Sequence, residues 1–289
     1  PVYSTNDAPT QILPAHYTDG GNDVNWFRQA PNTPTSLTQG TTTGTNNISE
    51  AAWTNANQPF LGFTVTDPDT GDTVKYRVQI DNTDATFTHL VTDYTYSSLS
   101  SNGTTFAYQV GQGGGSYAVG STSMTLPDSA TGYWWRVYGI DNNGVQTATP
   151  ATFGNASTVD FKIDTAAPTG GSIKDGTTSS DAAYNDGSLD TLSAYWATTE
   201  PTFTISGKPA TNVYQYSFGT TPGATDIVTW TYTGSSGTQA FVTATGLSLQ
   251  TGQLYYANVR AYDQAGNVST LSSDGQMVLP TFVVSFLNS

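Results

Sequence analysis

The sequence predicts an all-β protein: two tandem antiparallel β-sandwiches preceded by an irregular N-terminal extension. Three observations carry that expectation. Aromatics are plentiful, with 17 Tyr, 12 Phe and 6 Trp in 289 residues, while only 36% of the chain is hydrophobic. With abundant Thr, Ser and Gly, that mixture suits pleated, half-buried strands. The apolar runs are short and often alternate with polar residues, the period of a strand with one face in a core. Finally, residues 133–144 (YWWRVYGIDNNG) recur as 255–266 (YYANVRAYDQAG), 122 residues later, with Tyr, Val, Asp and Gly in register. A period of that length marks two copies of a domain, because solenoid units run to about 20–50 residues.

Alternation assigns the faces of the repeated strand. Tyr133, Trp135, Val137 and Gly139 share one side, as do Tyr255, Ala257, Val259 and Ala261, and both sets are expected in a core. Each copy follows a Leu and a turn, at Leu126-Pro127-Asp128 and at Leu249 to Gly252. A Leu, a turn and a Tyr opening a long strand match the tyrosine corner of β-sandwiches. An earlier strand matches in each half, at 74–80 and 213–218, and each follows another, at 60–66 and 201–205. Asp164 to Gly171, small residues around Pro168, reads as the linker. The expected organisation is an extension over 1–33, a first sandwich over 34–166 with extra strands from Ala85 to Gly120, and a second sandwich over 167–289.

The segments Asp164-Thr-Ala-Ala-Pro168-Thr, Asp186-Gly187-Ser188-Leu189 and Val259-Arg-Ala-Tyr-Asp263-Gln-Ala-Gly-Asn267 resemble the tandem fibronectin-type-III-like and immunoglobulin-like domains of large bacterial cell-surface proteins. The resemblance covers roughly residues 35–275. It implies an extracellular or cell-surface setting and a role as spacer, adhesive unit or assembly subunit. Such a fold hosts many functions, so the resemblance bears on setting more than on activity.

The formal net charge is −14, from 22 acidic and 8 basic residues. A surface of that sign repels phosphate backbones and anionic lipid, which argues against nucleic-acid and membrane-surface partners. No run reaches the roughly 18 apolar residues of a membrane span. The absence of Cys excludes disulfides, Cys-ligated zinc and thiol catalysis. No charged-then-apolar leader opens the chain, so it is read either as the mature form or as a sequence from which export information has been removed.

The inventory for catalysis is thin. His16 and His89 are the only histidines and Glu50 and Glu200 the only glutamates, all in polar or strand-edge context, and no G-x-S-x-G elbow is present. The protein is therefore read as not an enzyme, without cofactor other than a candidate Ca²⁺. That candidate is Asp67-Pro-Asp69-Thr-Gly-Asp72, three carboxylates in one tight turn, an oxygen-rich set of the kind Ca²⁺ prefers. The rival reading is ordinary Asx-turn chemistry in a hairpin. Asp141 to Gly144 and Asp263 to Asn267 are further oxygen-rich strand ends. Trp134, Tyr138, Tyr256 and Tyr262 alternate with core positions and are candidates for a glycan platform or for plain packing. Asn47, Asn102, Asn155 and Asn267 begin glycosylation sequons, a number expected by composition, and Lys75 and Lys162 are candidates for an isopeptide staple.

The two ends fit neither repeat. The extension is polar with isolated apolar anchors at Ile12, Leu13, Trp26 and Phe27, and it needs something to hold it. The C-terminal run Met277 to Leu287 is strongly β-forming, with Val278, Phe282, Val284 and Phe286 on one face. It is either the last strand of the second sandwich or a strand that completes a neighbour's sheet. The expected function is a non-enzymatic structural subunit of an extracellular bacterial assembly (a filament, sheath or surface layer), self-associating into a homopolymer through its ends. The alternative is an adhesive or glycan-binding module of a larger surface protein.

Overall fold

The computed structural model describes residues 29–69, 71–121, 125–168, 171–185, 188–197, 214–234 and 239–280. Among these residues every regular element is a strand. The chain divides into two compact units, Pro1–Asp164 and Thr165–Ser289.

The strands of the first unit are β1 (Thr35–Gly40), β2 (Ala52–Thr54), β3 (Phe60–Thr64), β4 (Thr73–Asp81), β5 (Leu90–Tyr96), β6 (Ser100–Ser101), β7 (Thr105–Gln109), β8 (Gly115–Tyr117), β9 (Ser129–Asp141), β10 (Ala151–Thr152) and β11 (Phe161–Ile163). One sheet runs β1-β3-β7 and the other β2-β11-β9-β4-β5-β8, with β10 on β9 and β6 on β4. The pairing of β4 with β9 is the backbone of the unit, setting Val78 opposite Val137 and Ile80 opposite Trp135. Both strands alternate as their sequences predict. Val74, Tyr76, Val78 and Ile80 are buried together with Tyr133, Trp135 and Val137, while Lys75, Arg77, Trp134, Arg136 and Tyr138 are half-buried on the other face. The core joins these residues to Leu61 and Phe63 of β3 and to Phe106 and Tyr108 of β7, so it draws on both sheets.

Among the described strands of this unit, pairing is antiparallel except for β2 and β11, which run parallel, Phe161 opposite Ala52. Parallel neighbours need a long crossover, and nearly the whole unit lies between these two strands in sequence. Gly132, near the start of β9, has φ 89°. A Cβ there would lie 2.7 Å from the carbonyl oxygen of Phe161, and the β9–β11 register shifts at this place.

The second unit comprises β12 (Ser172–Asp175), β13 (Leu192–Ala197), β14 (Tyr214–Gly219), β15 (Val228–Tyr232), β16 (Gln239–Ala244), β17 (Leu254–Tyr262), β18 (Val268–Ser272) and β19 (Gln276–Met277). Its sheets are β12-β13-β16 and β15-β14-β17-β18, with β19 on β17. Here β14 and β17 play the part of β4 and β9, with Tyr216 opposite Val259. The described buried residues fall into two groups, one around Leu192, Phe218, Tyr255 and Val278, the other of Trp196, Tyr214 and Val259. One expectation is modified. Ala261 is only half-buried, while Asn258 on the opposite face is 1% exposed. The β14–β15 turn explains it: Asn258 Nδ2 donates to Ala224 O at 2.8 Å, and Gly223 N donates to Asn258 Oδ1 at 2.7 Å.

The tyrosine that opens each long strand ties back to the turn before it. Tyr133 Oη donates to Pro127 O at 2.6 Å, and Tyr255 Oη accepts from Gln250 N at 2.8 Å. Leu126 and Leu249, the residues that precede these turns, are both buried.

Candidate cation site

The end of the first unit at which residues 29–33 run in gathers several oxygen-bearing side chains. The loop from β3 to β4 carries Asp67, Asp69 and Asp72, and each offers a carboxylate oxygen within 4.8 Å of the others. The loop is held by local bonds: Asp69 N donates to Asp67 Oδ1 at 2.8 Å, closing an Asx turn. Asn102, in the turn before β7, clamps Asp67 from both sides, accepting from Asp67 N at 2.8 Å and donating to Asp67 O at 2.6 Å. The lead-in segment joins through Gln29 N, which donates to Asp69 Oδ2 at 2.7 Å, and through Asn32 N, which donates to Thr66 O at 2.9 Å.

Strand pairing brings a further acid. Asp141 at the end of β9 lies opposite Val74 of β4, two residues beyond Asp72. Its Oδ1 accepts from Asn143 N and Val145 N, both at 2.8 Å. Burial pushes the Asp67 carboxyl above its ordinary value, and the charges of Asp69, Asp72 and Asp141 push it further, opposed by the bond from Asp69 N. Chemically the arrangement is an all-oxygen set of carboxylates and amides with negative charge concentrated in one place, the donor type of hard divalent cations.

A second acidic group in the second unit is arranged differently. Asp175, Asp181 and Asp274 also lie within 4.8 Å of one another, but the oxygens of Asp175 and Asp181 are engaged. Asp175 accepts from Gly275 N at 3.0 Å and Gln276 Nε2 at 3.2 Å, while Asp181 accepts from Asp175 N at 2.9 Å and pairs with Lys174 at 3.2 Å. Burial pushes Asp175 up to about 6. Beside it is a cleft of about 310 Å³ lined by Thr177, Thr178, Ser180, Tyr184, Asn185 and Gln276.

The other residues singled out in the sequence are dispersed. His89 is exposed, its backbone N–H donating to Asp81 at 2.7 Å, and Glu50 accepts from the backbone and side chain of Asn155 at 2.9 and 3.0 Å. His16, Glu200, Ile12, Leu13, Trp26, Phe27, Phe282, Val284 and Phe286 lie outside the described residues. Val278 is fully buried in the core of its own unit, bonded to Gln253 and Gly252. Trp134, Tyr138, Tyr256 and Tyr262 are half-buried. Tyr138 lies under Arg77 and Arg136, whose guanidinium carbons are 6.0 and 5.4 Å from its ring centre, and Tyr262 Oη donates to Gln215 at 2.8 Å. Lys162 stands 5.4 Å from the Trp53 ring centre, a cation–π contact. The sequence marked Asn102 only as a sequon, whereas its amide holds the acidic loop. It also did not join Asp141 and Asn142 to Asp67, since that proximity follows from the β4–β9 register.

No family model matches the chain, and no curated protein matches it. Among solved structures it is similar to dimeric latent PorU from Porphyromonas gingivalis, at 12% identity over 88% of this chain with a TM-score of 0.24. The chain spans 20% of the length of that structure, and a likeness at this level carries no argument about function.

Proposed function

We propose that the chain is a non-enzymatic structural subunit of an extracellular bacterial assembly, built on two tandem immunoglobulin-like or fibronectin-type-III-like sandwiches and joined to its neighbours through its ends. The observation that carries this reading is the reuse of one scaffold. The β4–β9 and β14–β17 pairs, each with its tyrosine tied to the preceding turn, recur in two units that each hold their own core. Stiff repeated modules of this kind suit spacing and assembly, and the buried polar groups support the strands: Asp81, Asp141 and Asp263 all close turns.

The test is assembly itself. Purified chain should form polymers visible by negative-stain electron microscopy, and deletion of residues 1–30 or 281–289 should leave it soluble and monomeric. A second reading, an adhesive or glycan-binding module, is favoured by Tyr184, 58% exposed beside the hydroxyl- and amide-lined cleft of the second unit. A monodisperse monomer that binds a glycan array, and loses binding on Tyr184→Ala, would decide for that reading against the polymer.

A further inference from the structure

Among the described residues, two buried carboxylate oxygens at the lead-in end of the first unit have no hydrogen-bond partner. Asp67 is 6% exposed and its Oδ2 is unpartnered; Asp141 is 0% exposed and its Oδ2 is unpartnered as well. Neither residue forms an ion pair among the described residues. A buried oxygen without a partner is costly, more so when it is charged. Here the cost is compounded, because the carboxylates of Asp69 and Asp72 stand close by with the same sign of charge. Asn142 ties the end of β9 to this loop: with its amide oriented to satisfy its neighbours, Nδ2 donates to Asp72 Oδ2 and Oδ1 at 3.2 and 3.3 Å.

From these observations we infer that Asp67, Asp69 and Asp72 bind Ca²⁺, with the buried Asp141 adding negative charge close by. The spacing fits: ligands 2.3–2.6 Å from Ca²⁺ on opposite sides stand about 4.6–5.2 Å apart, and the three carboxylates lie within 4.8 Å of one another. Mg²⁺ dehydrates reluctantly and demands near-ideal octahedral geometry, which a loop carrying its own Asx turn supplies less readily. The ion would fasten three pieces of chain at once: the lead-in segment through the Gln29–Asp69 bond, the β3–β4 loop, and the end of β9 through the Asn142–Asp72 bond.

The second repeat serves as an internal control. Asp263 is the counterpart of Asp141, 122 residues on, but its Oδ2 accepts from Asn267 Nδ2 at 2.9 Å. The position of Asn267 is held in the first repeat by Val145, which has no such donor. Tyr76 faces Gly139 across the ladder and Tyr214 faces Ala261, so those two tyrosines correspond. Counting back four residues in sequence puts Ala210 where the first repeat has Asp72, and the stretch 206–212 holds no acid but does hold Lys208. In the second repeat the acids are gone and the remaining aspartate is satisfied from within.

The experiment titrates CaCl₂ into the full chain, freed of metal with EGTA, by isothermal calorimetry and by thermal melting. The inference predicts one site with Kd on the order of 0.1–1 mM, the range of extracellular modules. At a hundredfold excess over Kd, Tm of the first unit should rise by about 5–10 °C. Asp67→Asn and Asp72→Asn, which keep the side-chain shape and remove repulsion, should each weaken binding at least tenfold while the metal-free protein melts no lower than the parent. Asp263→Asn should leave binding unchanged. The absence of both heat and Tm shift overturns the inference, as does binding that survives Asp67→Asn and disappears with Asp181→Asn or Asp274→Asn. Neither outcome touches the proposed assembly, which is read from polymer formation.

Discussion

The two units spend the same scaffold on differently built interiors. In the first, the strand-buried tryptophan is satisfied: Trp135 Nε1 donates to Gln39 Oε1 at 3.1 Å, Gln39 Nε2 donates to Asp160 O at 2.7 Å, and Asp160 Oδ2 accepts from Trp135 N at 2.7 Å. That closed polar chain ties β1, β9 and the approach to β11 inside one continuous apolar core. In the second, Trp196 is equally buried but among the described residues its Nε1 has no partner, and the described core residues fall into two groups. The long-strand pair and its tyrosine therefore define the fold, while the filling around them varies. A scaffold fixed by two strands leaves its end loops free to diverge as well, and the acidic loop of the first unit is one such divergence.

The comparison can be broken most forcefully at the tryptophan. Trp135→Ala should cost about 3–5 kcal/mol, the range for a large buried aromatic, and lower the first unit's transition in calorimetry while leaving the second unit's in place. Gln39→Leu comes next. It strands Trp135 Nε1, a buried donor, and leaves Asp160 O with only the bond from Ala51 N at 3.1 Å, and should cost about 1–3 kcal/mol, read as a shift of the denaturant midpoint at constant slope. If Gln39→Leu proved neutral, the polar chain would not be what sets the first core apart.

Asp160 sharpens the contrast through pH. Its Oδ1 is unpartnered, and burial pushes its carboxyl up to about 8, opposed by the Trp135 bond and reinforced by the Glu50 charge. The folded state thus holds a proton that the unfolded chain releases near its ordinary value of 3.8. Between roughly these values the folded form binds more protons, so this group's contribution to stability falls as pH rises from about 4 to 8 and levels off above. Asp160→Asn removes the slope. The variant should gain on the parent by a few °C between pH 5 and pH 8, measured as the difference of their melting temperatures at each pH.

The smallest effect transfers a feature between repeats. Val145→Asn gives Asp141 the partner that Asn267 gives Asp263, and should stabilise the metal-free protein by about 0.5–1.5 kcal/mol while weakening Ca²⁺ binding. Unchanged affinity would separate Asp141 from the proposed site.

Much of this was legible in the chain, and what was hidden depended on distance. Tyr133, Trp135 and Val137 announce a buried face because a strand's period is local, and the Leu-turn-Tyr spacing announces the corner for the same reason. Asp67, Asp69 and Asp72 were legible because three acids in six residues have to be neighbours. Gln39 was not: its partners Trp135 and Asp160 lie 96 and 121 residues away, and a glutamine in a polar strand carries no local mark. Alternation puts Asn258 on the face opposite the core residues, yet a turn 34 residues earlier covers it. The parallel β2–β11 pairing likewise joins two three-residue strands at opposite ends of the unit.

The most direct test of the contrast between the repeats is hydrogen–deuterium exchange on the full chain in CaCl₂ and in EGTA. Ca²⁺ should slow exchange at residues 29–33, 65–72 and 141–145 and leave 263–267 unaltered. Equal exchange in both buffers, or slowing confined to the second unit, would contradict it.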